Sequence, residues 1–304
     1  MEPKENNIFR AGYVAVMGRP NVGKSTLINA FLGQKIAAVS PRPQTTRQMQ
    51  LGILTQENFQ IIFVDTPGLH KPHHKLGTYM NQNAAEALGD ADVILFLVDA
   101  SQTPPDEEDK ILVQLLEDLN HPPAVILALN KIDLLSQDDL ITREKEYLNL
   151  YPKAISQPIS AERNSNLDDL LETIVNHLPE GAPYYPGEQI TDLFEREISA
   201  DLIRAAALFH LRDEVPHAIA VRIDEFTERG DQGVYIAATL FVERDSQKGI
   251  VIGRDGQMLK QIGTTARQEI ESMSGRKAFL KLRVKVRKNW RNDENALSLF
   301  GFKS

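Results

Sequence analysis

Eight consecutive residues, Gly18-Arg19-Pro20-Asn21-Val22-Gly23-Lys24-Ser25, followed by Thr26, bring two glycines, an ammonium and two hydroxyls into one short stretch. The spacing G-x-x-x-x-G-K-S suits a loop that wraps a chain of phosphates. Gly18 and Gly23 let the backbone bend so that successive N–H groups point inward at anionic oxygens. Lys24 offers a mobile ammonium to the terminal phosphates, and Ser25 offers a hydroxyl to Mg²⁺. An ordinary glycine turn is the plainer reading, but the context weighs against it. Tyr13–Met17 is strand-like and Thr26–Leu32 is helix-like. The loop therefore opens a helix, whose positive dipole end favours anions.

Two further polar exits follow apolar runs. Ile61–Val64 ends in Asp65-Thr66-Pro67-Gly68, with Asp65 41 residues after Lys24. Asp65 stands where a carboxylate can serve the Mg²⁺ shell through water. The Gly68 N–H can approach a γ-phosphate without a side chain in the way. A turn capped by Asp65 is the alternative. Ala124–Leu129 ends in Asn130-Lys131-Ile132-Asp133. The Asp133 carboxylate can accept from guanine N1–H and N2–H₂ together, a bidentate charge-assisted pair. Adenine would leave that carboxylate unpaired, which is discrimination by an unsatisfied group. Asn130 can tie loops together, and the Lys131 stem can pack on the base. Ser160-Ala161-Glu162 would add backbone and hydroxyl contacts to it.

These motifs need a scaffold that brings their loops to one edge. Strands are expected at 13–17, 49–54, 59–64, 93–98, 124–129 and 154–159. Helices are expected at 24–33, 78–88, 106–119, 138–150 and 166–178. Several strand runs are apolar throughout, as strands covered on both faces should be. The alternation predicts an α/β fold: a doubly wound, mostly parallel sheet with its ligand at the carboxyl ends of the strands.

In order and spacing, G-R-P-N-V-G-K-S, D-T-P-G, N-K-I-D and S-A-E resemble the signature set of translation-factor-type GTPases, a P-loop NTPase fold. Gln44-Thr45-Thr46-Arg47 resembles the effector loop of the Era group. The resemblance implies GTP/GDP and Mg²⁺ as ligands and assigns catalysis to Lys24, Thr46, Asp65 and Gly68. It also implies metal contacts from Ser25, Asp65, Thr46 and Thr45, with Thr46 the better ligand. One departure is Leu69, where Ras-like enzymes place a water-orienting Gln. Leucine cannot hydrogen-bond water, so slow intrinsic hydrolysis is expected. Asn21 is similar to an asparagine that helps hold K⁺ beside the phosphates, where a second cation would stabilise developing charge. Leu69 also leaves open an RNA-binding factor with GTP as a structural ligand. An ATP-using P-loop kinase fits Asn130 and Asp133 poorly. His70, His73 and His74 read as a solvated loop rather than a metal site.

His177–Gly187 is dense in Pro and Gly and reads as a linker of some stiffness, assigned to 181–190 between a GTPase domain at 1–180 and a second domain at 191–304. A helix is expected at 191–210, with Leu193, Phe194, Ile198, Leu202 and Ile203 at helical spacing. Two alternating strands follow at 218–226 and 234–242, then Ile252-Gly253-Arg254-Asp255-Gly256, a helix at 257–273 and an amphipathic strand at 281–287. This α-β-β-α-α-β order with I-G-x-x-G resembles a type II KH domain, a smaller α+β unit whose G-x-x-G loop clamps single-stranded nucleic acid. Gly253 and Gly256 permit close approach, Arg254 adds a phosphate contact, and Asp255 weakens the attraction. Ile250 and Ile252 are expected to line the groove. Lys281, Arg283, Lys285 and Arg287 are expected to serve the RNA.

Charge supports that division. Residues 1–183 carry 15 Lys+Arg and 24 Asp+Glu, whereas 244–291 carry 13 and 4. A basic segment within a mildly acidic chain is the footprint of an RNA or anionic-surface contact. The absence of Cys excludes disulfides and thiolate chemistry. The N-terminus lacks the apolar core of a signal peptide, and no apolar run reaches membrane-span length. Resemblance over nearly the whole chain implies binding to 16S rRNA near its 3′ end and to the small (30S) ribosomal subunit during maturation. It further implies cytoplasmic residence with some peripheral membrane association, and no DNA partner. Nucleotide state is expected to alter RNA access to the 253–256 loop.

Overall fold

A computed structural model of the chain describes residues 8–34, 36–39, 46–67, 74–102, 105–230 and 233–302. It divides into two compact units. The first comprises Met1–Gly33, Met49–His70 and Gln82–Asp192; the second comprises Gln34–Gln48, Lys71–Asn81 and Leu193–Ser304.

The first unit is built on β1 (Arg10–Met17), β2 (Gln50–Thr55), β3 (Phe59–Asp65), β4 (Val93–Asp99), β5 (Ala124–Asn130) and β6 (Ile155–Pro158). They form one sheet in the order β2-β3-β1-β4-β5-β6, parallel except for the β2/β3 hairpin. Every residue of β3 and β4 is buried, because helices cover both faces. Period-2 alternation sorts the side chains between those faces. Val14 and Val16 pack with Leu27 and Ile174, whereas Ala15 and Met17 pack with Leu88 and Leu116. The helices concerned are α1 (Lys24–Leu32), α2 (Lys75–Gly89), α3 (Glu107–Glu117), α4 (Gln137–Leu150) and α5 (Leu167–His177). β1 lies between β3 and β4, so the chain reverses its direction of winding there. Its carboxyl end is the switch point where such sheets open a crevice.

The proline-rich stretch after α5 is laid along this sheet. Gln60, fully buried on β3, accepts from the N–H groups of Tyr184 (2.7 Å) and Tyr185 (2.9 Å) and donates to the Tyr185 carbonyl (2.8 Å). Ile53 N–H donates to the Ile190 carbonyl at 2.8 Å, and Leu51 N–H to Asp192 Oδ1 at 3.2 Å. A segment expected only to separate two domains is thus hydrogen-bonded to β2 and β3.

In the second unit, α6 (Glu195–His210), α7 (Asp245–Ile252) and α8 (Gln257–Ser274) accompany a three-stranded sheet. Its order is β7 (Ala220–Glu228), β8 (Val234–Val242), β9 (Ala278–Val286), with β7/β8 antiparallel and β8/β9 parallel. Ile203, Ile236, Leu240, Ile262, Ala266 and Ile270 lie at the centre of its core. A helix not foreseen, α9 (Glu294–Leu299), follows Trp290, which is fully buried and donates its Nε1–H to the Ala218 carbonyl at 2.8 Å. Arg47, 3% exposed, donates to the carbonyls of Ile219 (2.7 Å) and His217 (2.9 Å), with its guanidinium 5.8 Å from the Trp290 ring. Burial, aided by the charges of Arg204 and Arg291, pushes the Arg47 pKa well down.

Candidate nucleotide site and nucleic-acid groove

The loop after β1 folds around its own lysine. Lys24 is buried, and its Nζ donates to the carbonyls of Gly18 and Arg19, both at 2.9 Å. Burial lowers its pKa to about 8, partly opposed by the Asp65 carboxylate. Ser25 Oγ donates to Asp65 Oδ2 at 2.8 Å, so a hydroxyl from α1 and a carboxylate from the end of β3 meet across the sheet edge. Two hard oxygen donors at one point fit a magnesium shell. Beside them, buried Thr66 donates to the Val16 carbonyl at 2.8 Å, and Pro67 is buried.

The loop after β5 locks onto the same edge. Asn130, 2% exposed, donates to the Val22 carbonyl at 2.8 Å and accepts from Ala161 N–H at 2.9 Å, joining three loops through one amide. Gly23 is required beneath it. Its φ is +107°, and a Cβ there would lie 2.3 Å from Asn130 Nδ2. Lys131 Nζ donates to the Asn21 carbonyl at 3.0 Å and pairs with Asp99 at 2.5 Å, which stretches its stem across the loop. Ser160 Oγ donates to Asp133 Oδ1 at 2.6 Å and orients that carboxylate. Ile132 N–H donates to the Ile159 carbonyl at 3.3 Å, and Glu162 is exposed. Asn21 and Lys131 are non-glycine residues in the left-handed region, at φ +65° and +67°. Strain of this kind concentrates where a loop is held for a task.

One anchor was not anticipated. Arg19 is buried in the phosphate loop and pairs with Asp106 and, at 3.0 Å, with Asp109 at the start of α3. Tyr147 of α4 in turn donates to Asp109 Oδ2 at 3.2 Å. The acidic run Asp106–Asp109 was the available signal, read only as a helix start. Thr45, Gly68, Leu69, His70 and His73 lie outside the described residues, and Thr46 belongs to the second unit with Gln34–Gln48.

In the second unit, Gly253 (φ +73°) and Gly256 (φ +76°) flank Arg254 and Asp255, the latter at φ +50°. A Cβ on Gly253 would lie 2.6 Å from that of Met258. The loop opens into a groove of about 380 Å³ between α8 and β9, lined by Gly256, Leu259, Lys260, Gly263, Leu280 and Leu282 among others. Ile252 packs against the core, and Ile250 is exposed on α7. Lys281, Arg283 and Lys285 alternate with the groove-lining leucines and occupy the other face of β9. Arg287 follows the strand and pairs with Asp293 at 3.1 Å. The structure therefore brings Gly256 of the loop into the groove lining and sets Lys281, Arg283 and Lys285 on the opposite face of their strand. The apolar parity of Leu280 and Leu282 was the signal that could have separated the two sets.

Comparison with known proteins finds matches to two family models. The family model described as 50S ribosome-binding GTPase matches residues 13–131, and the KH domain model matches residues 214–291. GTPase Era of Ruminiclostridium cellulolyticum is 45% identical over 296 residues, covering 97% of this chain and 98% of that protein. GTPase Era of Geobacter metallireducens is 46% identical over 298 residues, covering 98% and 99%. Among solved structures, Era in complex with MgGDPNP and nucleotides 1506–1542 of 16S ribosomal RNA is similar with a TM-score of 0.91 at 41% identity, over 97% of this chain and 100% of that one. Aquifex aeolicus Era bound to GDP·AlF4⁻ gives 0.91 at 40%, with the same coverage.

Proposed function

The chain belongs to the Era family of GTPases, and on that premise we propose that it is a GTP-operated switch that binds 16S rRNA near its 3′ end and acts in maturation of the 30S subunit. The observation that carries the nucleotide half is the meeting of Lys24, the Ser25–Asp65 pair and the Asn130–Asp133–Ser160 cluster at one sheet edge. In this reading residues 18–26, 65–69, 130–133 and 160–162 form the nucleotide site, within a GTPase domain at 1–180 that the linker 181–190 joins to an RNA-binding domain at 191–304.

Each residue has a task that follows from its chemistry. The loop N–H groups and Lys24 hold the phosphates, and Asp133 reads the guanine edge while Ser160 fixes its orientation. Ser25, Asp65 and Thr46 hold Mg²⁺, which when bound neutralises charge on the terminal phosphate oxygens. Asn130 keeps the base loop and the phosphate loop at constant spacing, so that base and phosphates are gripped as one rigid frame. Asn21 serves a K⁺ site beside the phosphates. Multiple-turnover phosphate release tests the set: activity that is unchanged when Na⁺ replaces K⁺ removes the Asn21 assignment.

For the RNA half, the support is the G-x-x-G loop opening into a groove between α8 and β9, together with the relative solved with a 16S rRNA fragment. Crosslinking the protein to cellular RNA and sequencing the capture tests the target. Recovery of no 16S 3′-end sequence overturns it. We infer residence in the cytoplasm. Only the basic segment points to peripheral contact with an anionic membrane, and among the described residues no helix is long and apolar enough to cross one.

A further inference from the structure

Register lays the side of the β7–β8–β9 sheet facing away from α8 out in rows: Thr227–Tyr235–Phe279, Glu225–Ala237–Lys281, Arg222–Thr239–Arg283 and Ala220–Phe241–Lys285. The two ends of this face differ. At one, Phe241 is buried against Phe300, with ring centroids 5.0 Å apart. At the other, Phe279 on the edge strand is 54% exposed, although it belongs to the residue types that strands usually bury. Beside it is Tyr235, with the Arg229 guanidinium 4.9 Å from its ring.

Charge on this face is positive and only partly neutralised. Asp224 accepts from Arg222 at 2.7 Å and Thr239 at 2.5 Å and lies 3.7 Å from Arg283; Glu225 is exposed. Among the described residues, no carboxylate pairs with Lys281 or Lys285. The face is also connected to the G-x-x-G groove. A cleft of about 890 Å³ shares Arg267 and Leu280 with the groove and opens at Tyr235, Phe279 and Lys281. Two other cations lining it are engaged: Arg267 pairs with Glu271 at 3.1 Å, and Arg276 pairs with Glu195 and Glu228.

We infer that this outer sheet face is a second site for single-stranded RNA, occupied by the continuation of the strand held in the groove. Bases stack on Phe279 and Tyr235, while phosphates meet Lys281, Arg283 and Lys285. The strand rounds β9 through the cleft. Exposed Phe279, half-buried Tyr235 beside it and the unpaired Lys281 and Lys285 make a stacking platform that tolerates any base, whereas the G-x-x-G groove takes about four nucleotides. The inference rests on the reading that the groove takes RNA.

The test uses the full chain, a five-nucleotide RNA and a twelve-nucleotide RNA from the 16S 3′ end, and the variant Phe279→Ala/Lys281→Ala/Lys285→Ala. All three side chains are exposed, and an unchanged melting temperature verifies the fold. The twelve-mer should bind the variant about tenfold more weakly, with the slope of log affinity against log salt flattened by about 1.4 for two lost phosphate contacts. Affinity for the five-mer should stay within about twofold. Equal losses for both RNAs, or an unchanged salt slope, overturn the second site. So does a variant whose only deficit is binding to vesicles containing phosphatidylserine, which would assign the face to lipid. Gly253→Asp should abolish binding of the five-mer. If wild type binds neither RNA, the groove reading itself fails.

Discussion

Lys24 is the group whose environment can be weighed most directly. Burial holds its pKa near 8, against 10.5 for a solvated lysine. A lysine whose pKa falls on folding costs stability wherever the folded state must keep it charged. The cost is therefore full below about pH 8 and vanishes as pH rises through 10.5. At about 1.4 kcal/mol per pH unit, the full cost is about 3 kcal/mol. Raising pH from 7 to 9.5 should recover about 2 kcal/mol of it. Other groups titrate in that range, so the measurement is a difference. Urea unfolding of wild type and Lys24→Met, both nucleotide-free, is followed at the two pH values. The stability of wild type relative to the variant should rise by about 2 kcal/mol at the higher pH. With saturating GDP on wild type the rise should disappear, because the phosphates hold the ammonium charged. A pH-independent difference, within about 0.5 kcal/mol, would refute the claim that Lys24 is a desolvated ammonium poised for an anion.

Asn130→Ala orphans the Val22 carbonyl and the Ala161 N–H; thermal or urea unfolding should show a loss of about 2–4 kcal/mol, accompanied by weaker GDP binding. Asp133→Asn should shift selectivity from guanine to xanthine nucleotides in competition binding; retained GTP preference would remove Asp133 from base recognition. Gly253→Asp should abolish RNA binding while phosphate release stays within about twofold, since the contact it disturbs is with Met258 in the second unit. Trp290→Ala should lower unfolding stability by about 3–5 kcal/mol, the usual effect of truncating a fully buried tryptophan.

The order of strands and helices in the first unit was legible because β3 and β4 are covered on both faces and their apolar runs stop at a charged residue. The nucleotide site was legible for a related reason: each motif ends a strand, and parallel strands deliver their ends to one side. Arg19 was not legible, because its partners Asp106 and Asp109 are some 90 residues away in sequence and acid runs commonly begin helices. Neither was Arg47, whose role as a buried donor to Ile219 and His217 depends on a tertiary meeting that no local pattern encodes. For β9, alternation revealed two faces but not which of them the G-x-x-G loop adjoins, so its cations were assigned to the RNA without a face of the sheet. Trp290 lay in a stretch read only for its charge, and α9 (Glu294–Leu299) lay beyond the last element that the pattern predicted.

The bonds from Ile53 to Ile190 and from Leu51 to Asp192 have a consequence for solubility. β2 ends the six-stranded sheet, and a bare terminal strand is a template on which other chains can polymerise. The tail of the proline-rich stretch occupies that template. Its composition therefore does more than space two functions apart: a protease nick between Tyr185 and Ile190 would uncap the sheet and seed aggregation before either unit had lost its own core.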